Sequence, residues 1–480
     1  MADAFFESTD TTFFSSFAEF SAYLDKLGLF RIHPGLDRMK AMLRRLNLKR
    51  PPFVTLQVVG TNGKGSTCAM LERLARIHGL KTGLHTSPHL VSVRERVRID
   101  GRMLDENQWT HLANTLMHRG GEALSYFEFV TCLAVLAFAE AEVDIAIMET
   151  GLGGVFDATS ALDADMVVFT PIDLDHQTIL GKTLKEIAAD KSGCIRPGKP
   201  VVCSPQRGEA LAQIQKEAAE KKATLAIVDS PAILPKDILD GSRPKHLHGE
   251  YQAGNAALAL TAWRRLLSEE VFAPRQRQRI DQTLAKQSDC ETSALAEAWL
   301  PGRLQSIPPR PLRTNEPLFP SRLGWPHILL DGAHNPHGMA ALGLTLAKQG
   351  IGPAAVIFAC MADKDIEHML PHLRTLATGP IFVPPIQDNP RAMPPQELAA
   401  LIGLNATPAG SMKEALEAAC SLLAERFSEV FSAAPCKNPL LVCGSLYLLG
   451  EFFALRPDCL DAPVTPPAAK GSALGTRWGK

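Results

Sequence analysis

The sequence contains a glycine-rich segment with one lysine and a serine at its end, GTNGKGS at Gly60 to Ser66, that is well suited to bind phosphate. Glycines leave backbone N–H groups uncovered, and Lys64 among them supplies a positive charge. The apolar run at 53–59 predicts a buried strand, and helical spacing continues from Ser66 to Gly79. A turn that leads from a strand into a helix N-terminus favours an anion. We therefore predict a phosphate-binding loop.

The spacing of this segment departs from the general P-loop pattern GxxxxGK[ST]. Val58 stands at the first glycine position, and Gly65 separates the lysine from Ser66. A glycine-rich turn that only joins a strand to a helix is the alternative. The preceding strand, the following helix and the combination of lysine and hydroxyl favour a nucleotide site.

Three further side chains could act beside a bound triphosphate: Glu149 after an apolar run, His176 in the polar turn IDLDHQ, and Lys191 near a helix end. Each alone is compatible with a solvated carboxylate, a loop histidine or a helix-end cation. Together with the hydroxyls of Ser66 and Ser87 they would form an oxygen-rich site with one imidazole, which suits Mg²⁺. Such an ion would neutralise charge on a transferred phosphoryl group.

The second half of the chain offers a smaller set of polar residues. Asp331 and His334 lie in LLDGAHNP after a strand-like run, a weak signal when taken alone. Arg303 in LPGRLQ lies at a domain connector, from where a cation could reach phosphates across a cleft. Closure of two domains over a nucleotide would exclude water from a reactive intermediate.

Short apolar strands alternate with helical segments along the chain, which predicts an α/β fold with parallel sheets. The polar turns at 60–66, 86–89, 149–160 and 173–176 each follow a predicted strand. Ligands bind at the carboxyl ends of parallel strands, so we expect these turns to converge. The pattern weakens over 264–325, where RQRQR at 275–279 and a proline-rich stretch predict connector and loop.

The domain prediction follows from these patterns. We expect a parallel-sheet P-loop ATP-binding domain with an N-terminal helical flank at 1–298, then a smaller Rossmann-like α/β domain at 299–460. Residues 461–480 are rich in Pro, Ala and Gly and predict a disordered tail. A chain of 480 residues is long enough for two or three domains.

Composition excludes several functional classes. The formal net charge is −1, which argues against a nucleic-acid binder. The ten cysteines contain no CxxC pair, which favours reduced thiols over disulfides or a zinc site. The N-terminus lacks the basic segment of a secretory signal. The sequence contains no run of eighteen apolar residues, so we expect no membrane span. We expect a cytoplasmic, monomeric enzyme.

The motifs together resemble those of the folylpolyglutamate synthases and dihydrofolate synthases, members of the Mur ligase superfamily of ATP-dependent amide-bond ligases. The resemblance covers roughly residues 17–450 and rests on the joint order of its segments. These are GTNGKGS (60–66), TSPHL (86–90), ERVRIDG (95–101), YFEF (126–129), ETGLGGVFDATS (149–160), LDHQTILG (174–181), ADKSGCIRPG (189–198), NAALAL (255–260), PGR (301–303) and DGAHNP (331–336).

The resemblance implies roles for individual residues. It places ATP against Thr61, Asn62, Gly63, Lys64, Gly65, Ser66, Asn255, Arg303, Asp331 and His334. It places two Mg²⁺ ions, with K⁺ as a further cation, near Ser66, Ser87, Glu149, His176 and Lys191, of which Lys191 would be carbamylated. Lys64, Glu149, His176 and Lys191 would be catalytic, and Phe127, Asp157 and Ala158 would contact the pterin.

Three features depart from the family pattern. Ser160 stands where asparagine is usual, Tyr251 replaces a histidine, and the loop at 308–326 is longer than is typical. The first two affect the expected contacts to the pterin and the base. None of the three replaces a residue that is expected to contact phosphate or metal.

The resemblance implies a ligase that adds L-glutamate to dihydropteroate and to reduced folates through an acyl phosphate. A monofunctional folylpolyglutamate synthase is the nearest alternative. A cell-wall peptide ligase would need an N-terminal UDP-binding domain, for which the residues before Phe53 leave little room. A non-ligase P-loop ATPase would not need Glu149, His176 and Lys191.

Overall fold

The computed structural model describes residues 12–28, 35–228, 231–239, 246–284, 286–310, 324–403, 405–426 and 436–461. The predicted tail lies outside these ranges except for Asp461. Most of the loop at 308–326 lies outside them as well, from 311 to 323.

The first sheet has eight strands in the order β4-β3-β2-β5-β1-β6-β7-β8. They are β1 Val54–Val59, β2 Thr82–His85, β3 Val97–Ile99, β4 Arg102–Met103, β5 Ile145–Glu149, β6 Met166–Phe169, β7 Val201–Cys203 and β8 Leu225–Ile227. All neighbours pair in parallel except at β3 and β4, which form an antiparallel edge. Every residue of β1 is buried, as its apolar sequence requires of a central strand.

Helices cover both faces of this sheet. They are α1 Phe17–Leu27, α2 Asp37–Arg45, α3 Lys64–Ile77, α4 Glu106–His118, α5 Tyr126–Glu140, α6 Gln177–Leu180, α7 Leu184–Ser192, α8 Gly208–Glu220, α9 Lys236–Leu239, α10 Glu250–Leu267, α11 Pro274–Leu284 and α12 Gln287–Glu297. Residues of α3, α10 and α12 share one apolar core with the sheet, and residues of α1, α2, α4 and α5 share another.

The second sheet has six strands in the order β13-β12-β11-β14-β10-β9. They are β9 Gln305–Ile307, β10 Ile328–Leu330, β11 Ala355–Phe358, β12 Ile381–Val383, β13 Ala406–Pro408 and β14 Leu440–Cys443. Among its described strands, β9 alone runs antiparallel to its neighbour. The helices of this half are α13 Pro336–Lys348, α14 Ile366–Leu376, α15 Pro395–Ile402, α16 Met412–Arg426 and α17 Leu446–Leu455. The predicted α/β class is confirmed.

The loop prediction over 264–325 was wrong in its first half. RQRQR belongs to α11, which begins at Pro274 and buries Ile280, and α12 follows directly. Proline suits the first position of a helix, and the arginines and glutamines are good helix formers on its exposed side. A single buried apolar residue gave too little periodicity to predict this helix from sequence.

Two further properties of the described residues bear on the composition argument. All ten cysteines are free, as predicted for reduced thiols. None of the described helices combines the length and apolar character that a membrane span requires.

Candidate active site between the two sheets

A cleft of about 1160 Å³ lies where loops of the two halves face each other. Its walls come from the turns after β1, β2, β5 and β6 of the first sheet and after β10, β11 and β14 of the second. All residues that the sequence predicted for the site line it: Thr61, Asn62, Gly63, Lys64, Gly65, Ser66, Ser87, Phe127, Glu149, Asp157, Ala158, His176, Lys191, Asn255, Arg303, Asp331 and His334. The predicted convergence of the turns is confirmed.

The glycine-rich loop between β1 and α3 has the geometry of an open phosphate cradle. Gly63 has φ +90° and directly precedes α3, and a Cβ there would lie 2.4 Å from Asn255 Oδ1. A side chain at this position would therefore collide with the Asn255 amide. Lys64 Nζ donates back across the loop to the carbonyl oxygens of Gly60 (3.2 Å) and Thr61 (3.1 Å). The ammonium thus lies over the cradle where an anion would be held.

Thr61 fixes this loop to the turn after β6. Its hydroxyl donates to the Asp173 carbonyl and accepts from the Asp173 N–H, both at 3.0 Å, and its own N–H donates to the Pro171 carbonyl at 2.9 Å. Three hydrogen bonds therefore join the glycine-rich loop to the turn that carries His176.

Glu149, the last residue of β5, is buried in the cleft wall. Its Oε2 accepts a hydrogen bond from the Ser87 backbone N–H at 2.9 Å. Burial raises the pKa of the Glu149 carboxyl, and the Lys64 ammonium opposes that change. A buried carboxylate whose charge depends on nearby cations is well suited to a metal ligand.

Lys191, near the end of α7, is buried and its Nζ donates to the Gly60 carbonyl at 2.9 Å. Burial and the nearby Lys64 ammonium lower the pKa of Lys191 to about 7. The helix that carries it begins with a capping box formed by Thr183 and Glu186. Lys191 therefore lies beneath the phosphate loop as an amine that is readily deprotonated.

His176 has φ 51°, in the left-handed region, and immediately precedes α6. Burial lowers the pKa of its imidazole to about 3, although Asp175 opposes this effect. The ring is therefore neutral near pH 7, as a metal ligand must be. Its backbone N–H donates to Asp175 Oδ1 at 2.8 Å.

Asn255 and Ser66 are joined through Gln252, a residue that sequence reasoning missed. Gln252 Nε2 donates to Ser66 Oγ at 3.2 Å, and Asn255 Nδ2 donates to Gln252 Oε1 at 2.9 Å. All three side chains are buried. The start of α3 is thereby fixed to α10.

Asp331 organises the second-domain wall of the cleft. Its carboxylate accepts from the backbone N–H groups of Leu304 and Ala333, both at 2.8 Å, and from the Tyr251 hydroxyl at 2.9 Å. Burial raises its pKa, and Arg303 opposes that effect. Tyr251, which departs from the family histidine, therefore bonds directly across the two halves of the molecule.

The predicted pterin residues lie on the first-domain side of the cleft. Asp157 accepts hydrogen bonds from the N–H groups of Gly151 and Leu152 and from both the N–H and the hydroxyl of Thr159, at 2.6–3.0 Å. Its carboxylate thus shapes the loop around itself, directly before Ala158. The Phe127 ring packs 5.7 Å from His85, and the nearby Phe156 side chain is exposed. The rings of Phe127 and Phe156 are therefore available to contact a planar ligand.

Arg96 is a second residue whose role sequence reasoning underrated. The alternating charges of its segment, VRERVRIDG, are typical of a solvated strand edge, yet Arg96 is 2% exposed and lines the cleft. Its Nε donates to His89 Nδ1 at 2.9 Å, and the guanidinium lies 5.5 Å from the centre of the Tyr126 ring. Arg96 ends the short helical turn Val93–Arg96 before β3, and only the fold shows that this residue lines the cleft.

Asp175, Asn335 and Lys364 were also absent from the predicted site, although all are buried at the cleft. Lys364 Nζ donates to Asp175 Oδ1 at 2.6 Å, and Asn335 Nδ2 donates to Asp175 Oδ2 at 3.1 Å. Burial alone would raise the pKa of Asp175, but Lys364 and the neighbouring histidines hold it well below its usual range. Lys364 follows β11 at its carboxyl end, so the rule applied to the first sheet could have found it.

Comparison with known proteins shows the family to which the chain belongs. The chain is 32% identical over 374 residues to the dihydrofolate synthase/folylpolyglutamate synthase of Bacillus subtilis, covering 72% of this chain and 80% of that protein. The chain belongs to the dihydrofolate synthase/folylpolyglutamate synthase family. Within the chain, residues 321–433 also match the model of the Mur ligase glutamate ligase domain.

Solved structures of this family superpose on most of the chain. Escherichia coli FolC in complex with DHPP and ADP has a TM-score of 0.73 at 28% identity, covering 92% of this chain and 98% of FolC. A bifunctional folylpolyglutamate synthase/dihydrofolate synthase with Mn, AMPPNP and L-glutamate bound has a TM-score of 0.72 at 29% identity, with the same coverage. The two-domain α/β architecture of the family is thus shared by this chain.

The cleft residues fit the nucleotide and divalent ion of these family structures. Gly63 has no side chain, so its backbone can lie against Asn255 where a Cβ would collide, and Lys64 Nζ bonds across the same loop. Among the described residues, no three His, Cys, Asp or Glu side chains form a cluster that could hold a metal alone. The Glu149 carboxylate and the hydroxyls of Ser66 and Ser87, which line the cleft, suit Mg²⁺, since this ion is usually held by one or two carboxylates, waters and substrate phosphates.

Proposed function

We propose that this protein is an ATP-dependent ligase that adds L-glutamate to dihydropteroate and to reduced folates. The observation that carries the proposal is the cleft itself, in which the phosphate loop, Glu149 and Lys191 face Arg303, Asp331 and His334 of the second half. Family membership and the ligands of the solved relatives support it. A stand-alone ATPase would have no use for a second domain over its phosphates.

The reaction has two steps. The acceptor carboxylate attacks the γ-phosphorus of ATP, forming an acyl phosphate and releasing ADP. The glutamate amine then attacks the acyl carbon, losing a proton, and phosphate leaves as the amide bond forms. Activation is needed because a free carboxylate is a poor electrophile.

We propose that Thr61, Asn62, Gly63, Lys64, Gly65 and Ser66 hold the ATP phosphates, with Asn255, Arg303, Asp331 and His334 completing the nucleotide site. Lys64 would stabilise the phosphoryl group during transfer. Magnesium, when bound near Ser66, Ser87, Glu149 and His176, would supply charge neutralisation at the phosphates. The two walls would keep water from the acyl phosphate.

Lys191 fits the carbamylation that the family resemblance implies. A neutral lysine amine attacks carbon dioxide, forming an N–C bond and releasing a proton, and the product is an anion. The lowered pKa of Lys191 and its burial both favour the neutral amine. An anion there would complement Lys64 and a divalent ion.

The proposal includes several finer points. Phe127, Asp157 and Ala158 are assigned to the pterin, K⁺ to a further cation site, and the functional unit to a cytoplasmic monomer without nucleic acid. The domain boundary is placed at 298/299, supported by the end of α12 at Glu297 and the start of β9 at Gln305.

Phosphate release by purified protein tests the function. With ATP and glutamate, we expect release only when dihydropteroate or tetrahydrofolate is added, and a product heavier by one glutamate residue in mass spectrometry. Release without an acceptor would indicate a plain ATPase. Activity with tetrahydrofolate but not dihydropteroate would indicate the monofunctional alternative.

A further inference from the structure

A buried ion pair joins the two halves of the molecule beside the phosphate loop. Lys364 Nζ lies 2.6 Å from Asp175 Oδ1, and the two side chains are only 7% and 8% exposed. Asp175 belongs to the turn after β6 of the first sheet, and Lys364 to the turn after β11 of the second. The pair therefore exists only while these turns are in contact.

Asp175 receives two further groups from the second domain. Asn335 Nδ2 donates to Asp175 Oδ2 at 3.1 Å, and His334 Nε2 lies 3.7 Å from the same oxygen. Asn335 also exchanges amide hydrogen bonds with Asn62 of the phosphate loop, at 3.0 and 3.3 Å. The Asp175 carboxylate thus contacts a lysine, an asparagine and a histidine of the second domain.

The same carboxylate also holds the next residue of its own turn. Asp175 Oδ1, the oxygen that binds Lys364, accepts the backbone N–H of His176 at 2.8 Å. His176 has a left-handed backbone, which is uncommon outside glycine and must be maintained by its surroundings. A contact made by the second domain is therefore linked through one oxygen atom to the conformation of His176.

We propose that Asp175 and Lys364 are positioning residues that make the placement of His176 and of the phosphate loop conditional on contact between the two domains. The pair acts as a bridge: with the domains together, Asp175 is neutralised by Lys364 and fixes the His176 peptide. With the domains apart, the carboxylate loses Lys364, Asn335 and His334 at once. The consequence for catalysis rests on the proposed function, but the bridge itself does not.

A second ion pair between the two halves provides a matched control. Lys348 Nζ of α13 lies 2.5 Å from Glu250 Oε2 of α10, and these side chains are 60% and 56% exposed. Exposed pairs contribute little because water screens them. Loss of one partner of a buried pair is far more costly, since it leaves an uncompensated charge.

A double-mutant cycle tests the coupling. We expect Lys364→Met and Asp175→Asn each to lower kcat by about tenfold or more, with the KM for dihydropteroate within about threefold. The double variant should be no more than about threefold worse than the poorer single variant, because both remove the same bridge. Lys348→Met should retain kcat within about twofold. Effects that multiply, or normal kcat in Asp175→Asn, would overturn the proposal.

Small-angle scattering without ligands tests the bridge independently of activity. We expect a larger radius of gyration for Lys364→Met than for the parent protein, no change for Lys348→Met, and recovery toward the parent value in Lys364→Arg, which keeps the charge. Circular dichroism confirms that each variant is folded. Equal radii for all variants would overturn the bridge. A parent protein without ligase activity would instead contradict the proposed function, and the scattering comparison would still decide on the bridge.

Discussion

Two lysine ammonium groups approach the same backbone carbonyl in the cleft. Lys64 Nζ lies 3.2 Å and Lys191 Nζ 2.9 Å from the carbonyl oxygen of Gly60. Burial and the like charge of Lys64 lower the pKa of Lys191 to about 7, so the Lys191 amine is neutral in a large fraction of molecules near pH 7. The Lys191 amine thus lies against the phosphate loop in a form that can react as a nucleophile. Conversion of that amine to an anion would remove the repulsion.

Replacement of Lys191 tests this role. We expect Lys191→Ala to lower kcat by about a hundredfold or more, because the site loses an anion beside the phosphates. Acetate or propionate in the assay should restore part of the activity by occupying the space left by the side chain. Initial rates with and without the acids measure the effect.

A matched lysine controls for general effects of the acids. Lys216 of α8 is exposed, and its side chain makes only an i,i+4 pair with Glu220 in the described structure. Lys216→Ala should keep full activity with or without carboxylic acids. Unchanged activity of Lys191→Ala would refute the carbamate proposal.

Residues of the cleft could be predicted where the rule about strand ends applied. They were missed where the contacting residue is distant in the sequence. Lys64, Glu149 and His176 were placed because each lies at or after the carboxyl end of a strand. Gln252 and Lys364 act through contacts 186 and 189 residues away in sequence, with Ser66 and Asp175. Such pairings depend on how helices and domains pack, which local patterns do not record.

At the scale of elements, the phosphate loop depends on one glycine. Gly63 has φ +90°, and its backbone lies so close to Asn255 that a Cβ would be 2.4 Å from Oδ1. An alanine would be strained by its backbone and would also displace the amide, at a cost of about 1–3 kcal/mol for the backbone alone. The loop therefore requires glycine for both reasons.

Gly63→Ala should weaken nucleotide binding in addition to lowering the stability of the fold. We expect at least a tenfold higher KM for ATP, since about 1.4 kcal/mol corresponds to a factor of ten. Calorimetric titration with a non-hydrolysable ATP analogue measures the affinity directly. Gly343→Ala in α13, where a Cβ would meet no atom within 4 Å, is the control and should bind as the parent does. Equal affinity of the two variants would contradict the cradle geometry.

The elements themselves were largely predictable. The strands Met166–Phe169, Ile381–Val383 and Leu440–Cys443 are recognisable in the sequence, because each is a short, fully buried apolar run between polar turns. The edge strands β8, β9 and β13 are not, since β8 and β13 contain no buried residue and the QSI of β9 gives little apolar contrast. Sheet order also lay beyond the sequence, because it depends on long-range pairing.

At the scale of the whole molecule, the two sheets present their strand ends to one cleft. Ion pairs join the two halves, one between the exposed side chains of Lys348 and Glu250 and one between the buried side chains of Lys364 and Asp175. The phosphate loop is thus one wall of a site that the second domain completes. A site of this kind can bind a nucleotide and two further substrates while excluding water from the intermediate.

The central claim is that this cleft activates a carboxylate by phosphorylation and then joins it to glutamate. Dihydropteroate labelled with ¹⁸O in its carboxyl group tests that claim most directly, by mass analysis of the phosphate released during turnover with ATP and L-glutamate. We predict that each phosphate carries one labelled oxygen, because the acyl phosphate passes the carboxylate oxygen to phosphorus. Phosphate released without label, at the same rate as the product forms, would contradict the account.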